Sequence, residues 1–175
     1  MAEALLINRT DLVKHTSLNG NIDTDTFIQY VKIAQEIHIA NYLGTDLFNK
    51  LKADIVANTL SGNYLSLLTT YVKPMLIHWA MVEWLPFASY TINAKGIFKH
   101  SSENASNVDK NEIDFLIDKE TSLAQHYTER FVRYMSFNQT SFPEYNSNSN
   151  DDVSPDHDTN FTSWIIWRKR LKITT

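Results

Sequence analysis

The sequence predicts a mainly α-helical protein: a helical bundle around a central buried helix, with a short β-like segment near residues 90–99 and an extended C-terminal arm. Three observations carry this. The run from Lys73 to Ala88 has only His78 and Glu83 as polar residues between Pro74 and Pro86. Its apolar residues cover every side of a helical wheel, which marks a helix covered all round. The flanking segments show helical apolar stripes punctuated by Gly44 and Gly62. Glycine is scarce, with four residues in the chain, which disfavours a fold built on many tight turns. A membrane span is the rival reading of the central run, but spanning needs about 20 apolar residues and this run is shorter.

The elements follow in order. Ala4 to Ile7 is a short apolar run that reads as an extended arm, and Thr10 is placed to cap one helical turn ending at His15. Asp23 or Thr24 opens the first long helix. Its stripe is Phe27, Val31, Ala34, Ile37 and Asn41, widened by Tyr30, Ile33 and His38. Gly44 ends it as a left-handed cap. Thr45 recaps a second helix to about Asn58, with Leu47, Phe48, Leu51 and Ile55 on its apolar face. After the Ser61-Gly62-Asn63 turn, Tyr64, Leu67, Leu68, Tyr71 and Val72 lead into Pro74 and the central helix. Tyr90 to Lys99 alternates weakly around Gly96 and reads as two short strands or a β-like loop. Asp109 and Glu112 have capping-box spacing and open the longest helix, to Phe137. At 1.5 Å per residue it is on the order of 40 Å long. Its stripe is Ile113, Leu116, Ile117, Leu123, Ala124, Tyr127, Phe131, Tyr134 and Met135. Phe142-Pro-Glu-Tyr145 reads as extended.

Three regions result: a helical domain over 1–145, a polar flexible linker over 146–160, rich in Asn, Ser and Asp, and an aromatic, basic arm over 161–175. The chain length suffices for one domain with a real core. At 43% hydrophobic and 12% aromatic residues, the composition is that of a folded chain rather than a disordered one. Without cysteine there are no disulfides and no thiolate metal sites. The first residues lack the basic and long apolar regions of a signal peptide. A net charge of −4 does not suggest a nucleic-acid binder, which is usually basic.

Signals for chemistry are few. No phosphate-binding glycine loop, H-E-x-x-H or G-x-S-x-G pattern is present. Asp151, Asp152, Asp156, His157 and Asp158 form the densest set of ligand-type residues. They lack the central Gly and terminal Glu of a calcium loop and read as solvated linker. His78 and Glu83 point about 140° apart on a helix, so they do not form an acid–base pair. Glu83 is expected to pair with a Lys, Arg or Tyr, and His78 and His38 to sit at the edge of the core. Catalytic residues, cofactors and metals are not expected, and the chain does not read as an enzyme. The Asn-x-Ser/Thr matches at Asn8, Asn104, Asn138 and Asn160 carry no weight without secretion.

The sharpest feature is Phe161-Thr-Ser-Trp-Ile-Ile-Trp-Arg-Lys-Arg-Leu-Lys172. As a strand, Trp164 and Ile166 face one way and Ile165 and Trp167 the other. A strand apolar on both faces calls for a covering partner. Trp and Arg are typical interface anchors. The candidate subunit or partner interface is therefore Phe161, Trp164, Ile165, Ile166, Trp167, Arg168, Lys169 and Arg170, together with Phe142 and Pro143. Packing on its own subunit, docking on another chain, and contact with single-stranded nucleic acid or a membrane surface are the open alternatives.

The order of elements resembles the head–tail connector (head completion, or adaptor ring) proteins of tailed bacteriophages, particularly the crAss-like and other Bacteroides-infecting phages. The matching pieces are Leu5-Leu-Ile-Asn-Arg-Thr-Asp-Leu12, Tyr42-Leu-Gly-Thr-Asp-Leu-Phe-Asn-Lys-Leu51, Tyr71-Val-Lys-Pro-Met-Leu76 with Leu85-Pro-Phe87, the Gly96 segment, the long helix and Phe142-Pro143. They span residues 4–145 and leave the arm unmatched. The resemblance implies a helical subunit of a head-to-tail ring of about twelve copies that closes by rotation. Its partners would be further copies, the portal protein, a downstream tail or second connector protein, and passing double-stranded DNA bound without sequence specificity. No membrane is implied. The location would be the head–tail junction of the virion, after assembly in the bacterial host cytoplasm. Net negative charge suits a channel through which DNA slides without sticking, and a tethered apolar arm suits locking between neighbours. The alternative from a different class is a helical nucleic-acid-binding module, with Gly44 as the turn of a helix–turn–helix and Trp164 to Lys172 as the contact. Its second helix offers only Lys50 and Lys52 as bases. Deleting residues 147–175 is expected to leave the helical core folded while weakening assembly.

Overall fold

The computed structural model describes residues 4–16, 24–88, 90–93, 96–99, 110–147 and 152–159. The protein is mainly helical. The elements are α1 (Arg9–His15), α2 (Thr24–Ala34), a π turn (Gln35–Ile39), α3 (Ala40–Leu43), α4 (Thr45–Ala57), α5 (Gly62–Leu67), a second π turn (Leu68–Val72) and α6 (Lys73–Trp84). A 3-10 turn (Leu85–Phe87) follows, then β1 (Tyr90–Asn93), β2 (Gly96–Lys99), α7 (Lys110–Asn138), another 3-10 turn (Gln139–Ser141) and α8 (Pro143–Ser147). The two strands pair antiparallel, with Tyr90 opposite Lys99 and Asn93 opposite Gly96.

α6 is the central element. Met75, Leu76, Ile77, Trp79, Ala80 and Met81 are all buried, and α1, α2 and α7 pack against it. Covering each of its large side chains contributes about 1.5–3 kcal/mol. Pro74 occupies the first turn of α6. It has no N–H to give the Thr70 carbonyl, so the α pattern fails there. The chain absorbs this in the π turn, where Lys73 N–H reaches back five residues to Leu68 O.

The first π turn changes which side of the helix faces inward. Through α2 the expected stripe holds, with Phe27, Val31 and Ala34 buried. Beyond it, Ala40 N–H bonds Gln35 O, and the extra residue rotates the face. Gln35, His38, Ile39 and Leu43 turn inward, while Ile37 is 50% exposed. The expectation that Ile37 and Asn41 continue the buried stripe, with Ile33 widening it, is therefore corrected: all three side chains are exposed.

The N-terminal run is not a free arm. Ala4, Leu6 and Ile7 are buried. Leu6 N–H donates to Gln35 Oε1 at 2.8 Å, and Gln35 Nε2 donates to Ala4 O at 3.1 Å. The buried Gln35 amide thus has partners for both of its ends. α1 is capped by Asn8 rather than Thr10. Asn8 Oδ1 accepts from Asp11 N–H and Asp11 Oδ2 accepts from Asn8 N–H, both at 3.0 Å, a capping box. Asp11 also pairs with Lys73 at 2.7 Å, which ties α1 to the start of α6.

α7 buries Ile117, Ala124, Thr128, Phe131 and Met135. Leu116, expected on the inner stripe, is 44% exposed. Thr128, a polar residue outside that stripe, is buried: its hydroxyl accepts from Trp79 Nε1 at 3.1 Å and donates to Ala124 O at 2.8 Å. The expected Glu129–Arg133 pair is present at 3.3 Å. Phe142-Pro-Glu-Tyr145 is not extended. Pro143 opens α8, a position that tolerates a missing N–H.

Gly44 joins α3 to α4 with φ 72° and ψ 158°. This is not the left-handed helical region expected of the cap. It is a region open essentially to glycine alone. Asn58, which ends α4 at φ 55° and ψ 37°, does lie in that left-handed region. A Cβ on Gly44 would also lie 2.7 Å from Pro155 Cδ and Cγ. Gly44→Ala should therefore lower stability by about 2–4 kcal/mol, combining backbone strain with overpacking. Adding Pro155→Ala should recover the steric part only. A denaturant double-mutant cycle with no coupling between the two sites would contradict this.

Candidate interaction site

The segment expected to be a flexible linker is a docked strap over its described part. Residues 152–159 run across the α3–α4 joint. Val153 and Thr45 exchange two hydrogen bonds: Thr45 N–H donates to Val153 O and Val153 N–H to Thr45 Oγ1, both at 3.0 Å. Thr45 is the first residue of α4, and its hydroxyl holds the strap instead of capping the helix. Asp156 N–H donates to Asn41 O at 2.8 Å. Pro155 sits against Gly44, where the absence of a side chain makes room. Composition hid this, because backbone groups and one proline make most of the contact. The one sequence signal is the spacing of Val153 and Pro155, two residues apart and both half-buried.

Two phenols, Tyr42 and Tyr145, border the strap, and a third, Tyr64, lies beside α8. Tyr42 O–H donates to Asp158 O at 3.4 Å, and Tyr145 lies 3.0 Å from His157 Nδ1. Burial first, and the carboxylates of Asp156 and Asp158 second, push the Tyr42 hydroxyl up to about 12. Burial and Asp156 push Tyr145 up to about 12 as well. Tyr64, which donates to Glu144 at 2.6 Å, is raised to about 12 by burial and then by that hydrogen bond. All three serve as neutral phenols at neutral pH.

Of the sequence-predicted interface residues, Phe142 is 0% exposed. It packs edge-on against Tyr64, ring centroids 5.4 Å apart. It is a core residue, and its assignment to a surface is corrected. Pro143 is exposed. Phe161, Trp164, Ile165, Ile166, Trp167, Arg168, Lys169 and Arg170 lie outside the described residues, as does Asp151 of the acidic set.

The buried polar groups clamp helices together. His38 lies 2.9 Å from Glu83 and stacks on Trp79 with centroids 4.0 Å apart, tying the first π turn to α6. Glu83 therefore pairs with a histidine, not with the expected Lys, Arg or Tyr. His78 lies 2.7 Å from Glu120 and stacks on Tyr127, tying α6 to α7. Helical spacing on one chain segment could not reveal either pair, because the partners are 45 and 42 residues apart. Among the described residues no group of three or more His, Cys, Asp or Glu could hold a metal ion. None of their helices is long and apolar enough to cross a membrane.

Fold and surface together define a helical protein whose polar interior groups are committed to packing. The chain belongs to DUF6712, a family of unknown function, whose pattern matches residues 39–154. No curated protein and no solved structure matches it. The matched region opens inside the first π turn and closes at Ser154. It takes in both Gly44 and the Val153–Thr45 pair, and stops before the aromatic arm.

Two outcomes test the strap. Truncation after residue 146 should cost about 2–3 kcal/mol for its hydrogen bonds and apolar contacts, or roughly 5–10 °C in melting temperature. Truncation after residue 159, which keeps the described strap, should recover that share of the stability relative to truncation after residue 146. This revises the expectation that the whole segment is dispensable for folding. The second outcome concerns pH. Unfolded tyrosine loses its proton near pH 10, while folded Tyr42 and Tyr145 hold theirs to about pH 12. Their contribution is complete below pH 10 and is lost as pH rises toward 12. Melts across that window should show a steep fall, and Tyr42→Phe with Tyr145→Phe should flatten it.

Proposed function

We propose that the protein is a structural virion protein of a tailed bacteriophage: a ring-forming head–tail connector subunit that joins the portal to the tail and lines the DNA channel. The pieces that resemble connector proteins fall at the structural joints of this chain. They are the capped segment into α1, the Gly44 joint, and the proline-marked ends of α6.

The observation that carries the reading is the outer face of α7. Phe115 is 68% exposed and Phe137 is 88% exposed. They are 22 residues apart, so they lie within about 40° on the helix and about 33 Å from one another along it. Ser122, His126 and Arg133 are exposed between them. Two apolar anchors at the ends of a rigid rod, with a polar middle, suit a long contact with a neighbouring subunit. Large exposed apolar side chains are characteristic of such contacts. A head-to-tail contact that closes by rotation gives a ring.

The alternative, a helical nucleic-acid-binding module, has less behind it. Lys50 of α4 is engaged with Asp54 at 2.7 Å, and Lys52 lies over the Phe48 ring at 4.9 Å.

Light scattering and negative-stain imaging of the full chain, alone and with the portal ring, test the proposal. Rings of about twelve copies, closed by rotation, are expected, and Phe115→Asp with Phe137→Asp should reduce them to monomers without loss of helical content. A monomer that ignores the portal but shifts DNA in a salt-dependent way would favour the module instead.

A further inference from the structure

We propose that neighbouring copies meet head-to-tail through two particular surfaces. Arg130, Arg133 and Phe137, at the C-terminal end of α7 in one copy, contact the acidic strap and Ile37 of the next. This rests on the ring reading, and it supplies the second surface that a head-to-tail contact requires.

The two surfaces carry opposite charge. Residues 152–159 hold Asp152, Asp156 and Asp158 and no Lys or Arg, and all three aspartates are exposed. The strap turns locally here, with Asp158 N–H donating to Asp156 Oδ1 at 2.8 Å. On α7, residues 130–138 hold two arginines and no acid. The Arg133 side chain is 78% exposed and lies 3.3 Å from Glu129 of its own helix, a pairing that holds it weakly. Arg130 is exposed and lies over the Tyr71 ring at 4.9 Å. It has no carboxylate partner among the described residues. Copies of net charge −4 repel one another, so contact between them is favoured where opposite patches meet.

Each patch also has a large exposed apolar side chain about one helical turn from its charge. Phe137 follows Arg133 by four residues and is 88% exposed. Ile37 is 50% exposed and precedes by four residues Asn41, whose carbonyl accepts from Asp156 N–H. Four helical residues rise about 6 Å, so Phe137 can cover Ile37 while the arginines meet the aspartates. The patches face apart on one subunit. Phe131, on the buried side of α7, lies against Tyr145 with ring centroids 6.5 Å apart, and Tyr145 lies against His157 of the strap at 5.4 Å. The inner face of α7 thus looks toward the strap. Arg130, Arg133 and Phe137 lie about 100–160° around the helix from Phe131, so they look away from it. One subunit cannot join its own two patches. Two copies can, and the pair keeps one patch of each kind open for further copies, the condition for a ring that closes by rotation.

The chain has no cysteine, so introduced thiols can be read without background. Ser136→Cys and Asn41→Cys, both at exposed positions, leave Phe137 and Ile37 in place. Full-length chains carrying one substitution each, mixed and treated with a short thiol–thiol crosslinker, should give a covalent dimer containing one of each. Either chain alone should stay mainly uncrosslinked, and a chain carrying both should give a ladder of multimers. Arg130→Glu with Arg133→Glu on the Ser136→Cys chain should lower the mixed-dimer yield at least about fivefold, the scale of two exposed ion pairs. Asp152→Lys with Asp158→Lys on the Asn41→Cys chain should then restore it. Asp156 is kept, because its carboxylate makes the local turn. No mixed dimer, a yield indifferent to the charge reversals, or a Ser136→Cys chain that links mainly to itself would overturn the proposal. Rings seen by imaging without the mixed dimer would leave the ring reading standing and remove these two surfaces. The mixed dimer without rings would support the surfaces and count against closure.

Discussion

A helix that is apolar on every side must be covered on every side, and α6 imposes that demand on the rest of the chain. α1, α2 and α7 pack against it. The polar groups nearest to α6 are arranged so that none spoils the cover. Trp79 is mostly buried yet its indole N–H has the Thr128 hydroxyl as partner. His78 and Glu83 look outward to Glu120 and His38, each within hydrogen-bonding distance. A polar group left without such a partner would cost about 1–3 kcal/mol.

The two π turns reconcile this demand with the local sequence. One precedes Pro74, where an α-helix cannot continue its hydrogen bonds. The other, at Gln35–Ile39, turns Gln35 toward the N-terminal run and His38 toward Trp79. The same extra residue pushes Ile37 out into solvent. Covering α6 thus leaves an exposed apolar side chain on the opposite side of the covering helix.

Elements with strong periodicity and clear punctuation were legible in the sequence. The burial of α6, the inner face of α4 and the extent of α7 follow from apolar spacing and from Gly and Pro positions. What escaped involves residues whose role depends on distant partners. Thr128 reads as a polar surface residue until Trp79 is placed beside it. Phe142, next to Pro143, reads as an exposed extended residue until Tyr64 closes over it. The inward turn of Ile39 in place of Ile37 depends on a change of helical pitch that no apolar pattern announces. The strap is the clearest case: its hold comes from backbone amides and from the missing side chain of Gly44, and neither appears in a hydrophobicity pattern. The aromatic arm, by contrast, is legible as a segment needing cover, but its sequence does not say what covers it.

One consequence follows from the places where the two ends of the folded core are fastened. The N-terminal run is held by Gln35. The C-terminal strap is held by Asn41, Tyr42 and Thr45. Both anchorages fall within a single stretch of about three helical turns. Tension applied between the two ends would pass through that stretch and bypass α6 and α7. The core could stay unloaded while its ends are pulled, a useful mechanical property in any assembly that transmits force along a chain of subunits.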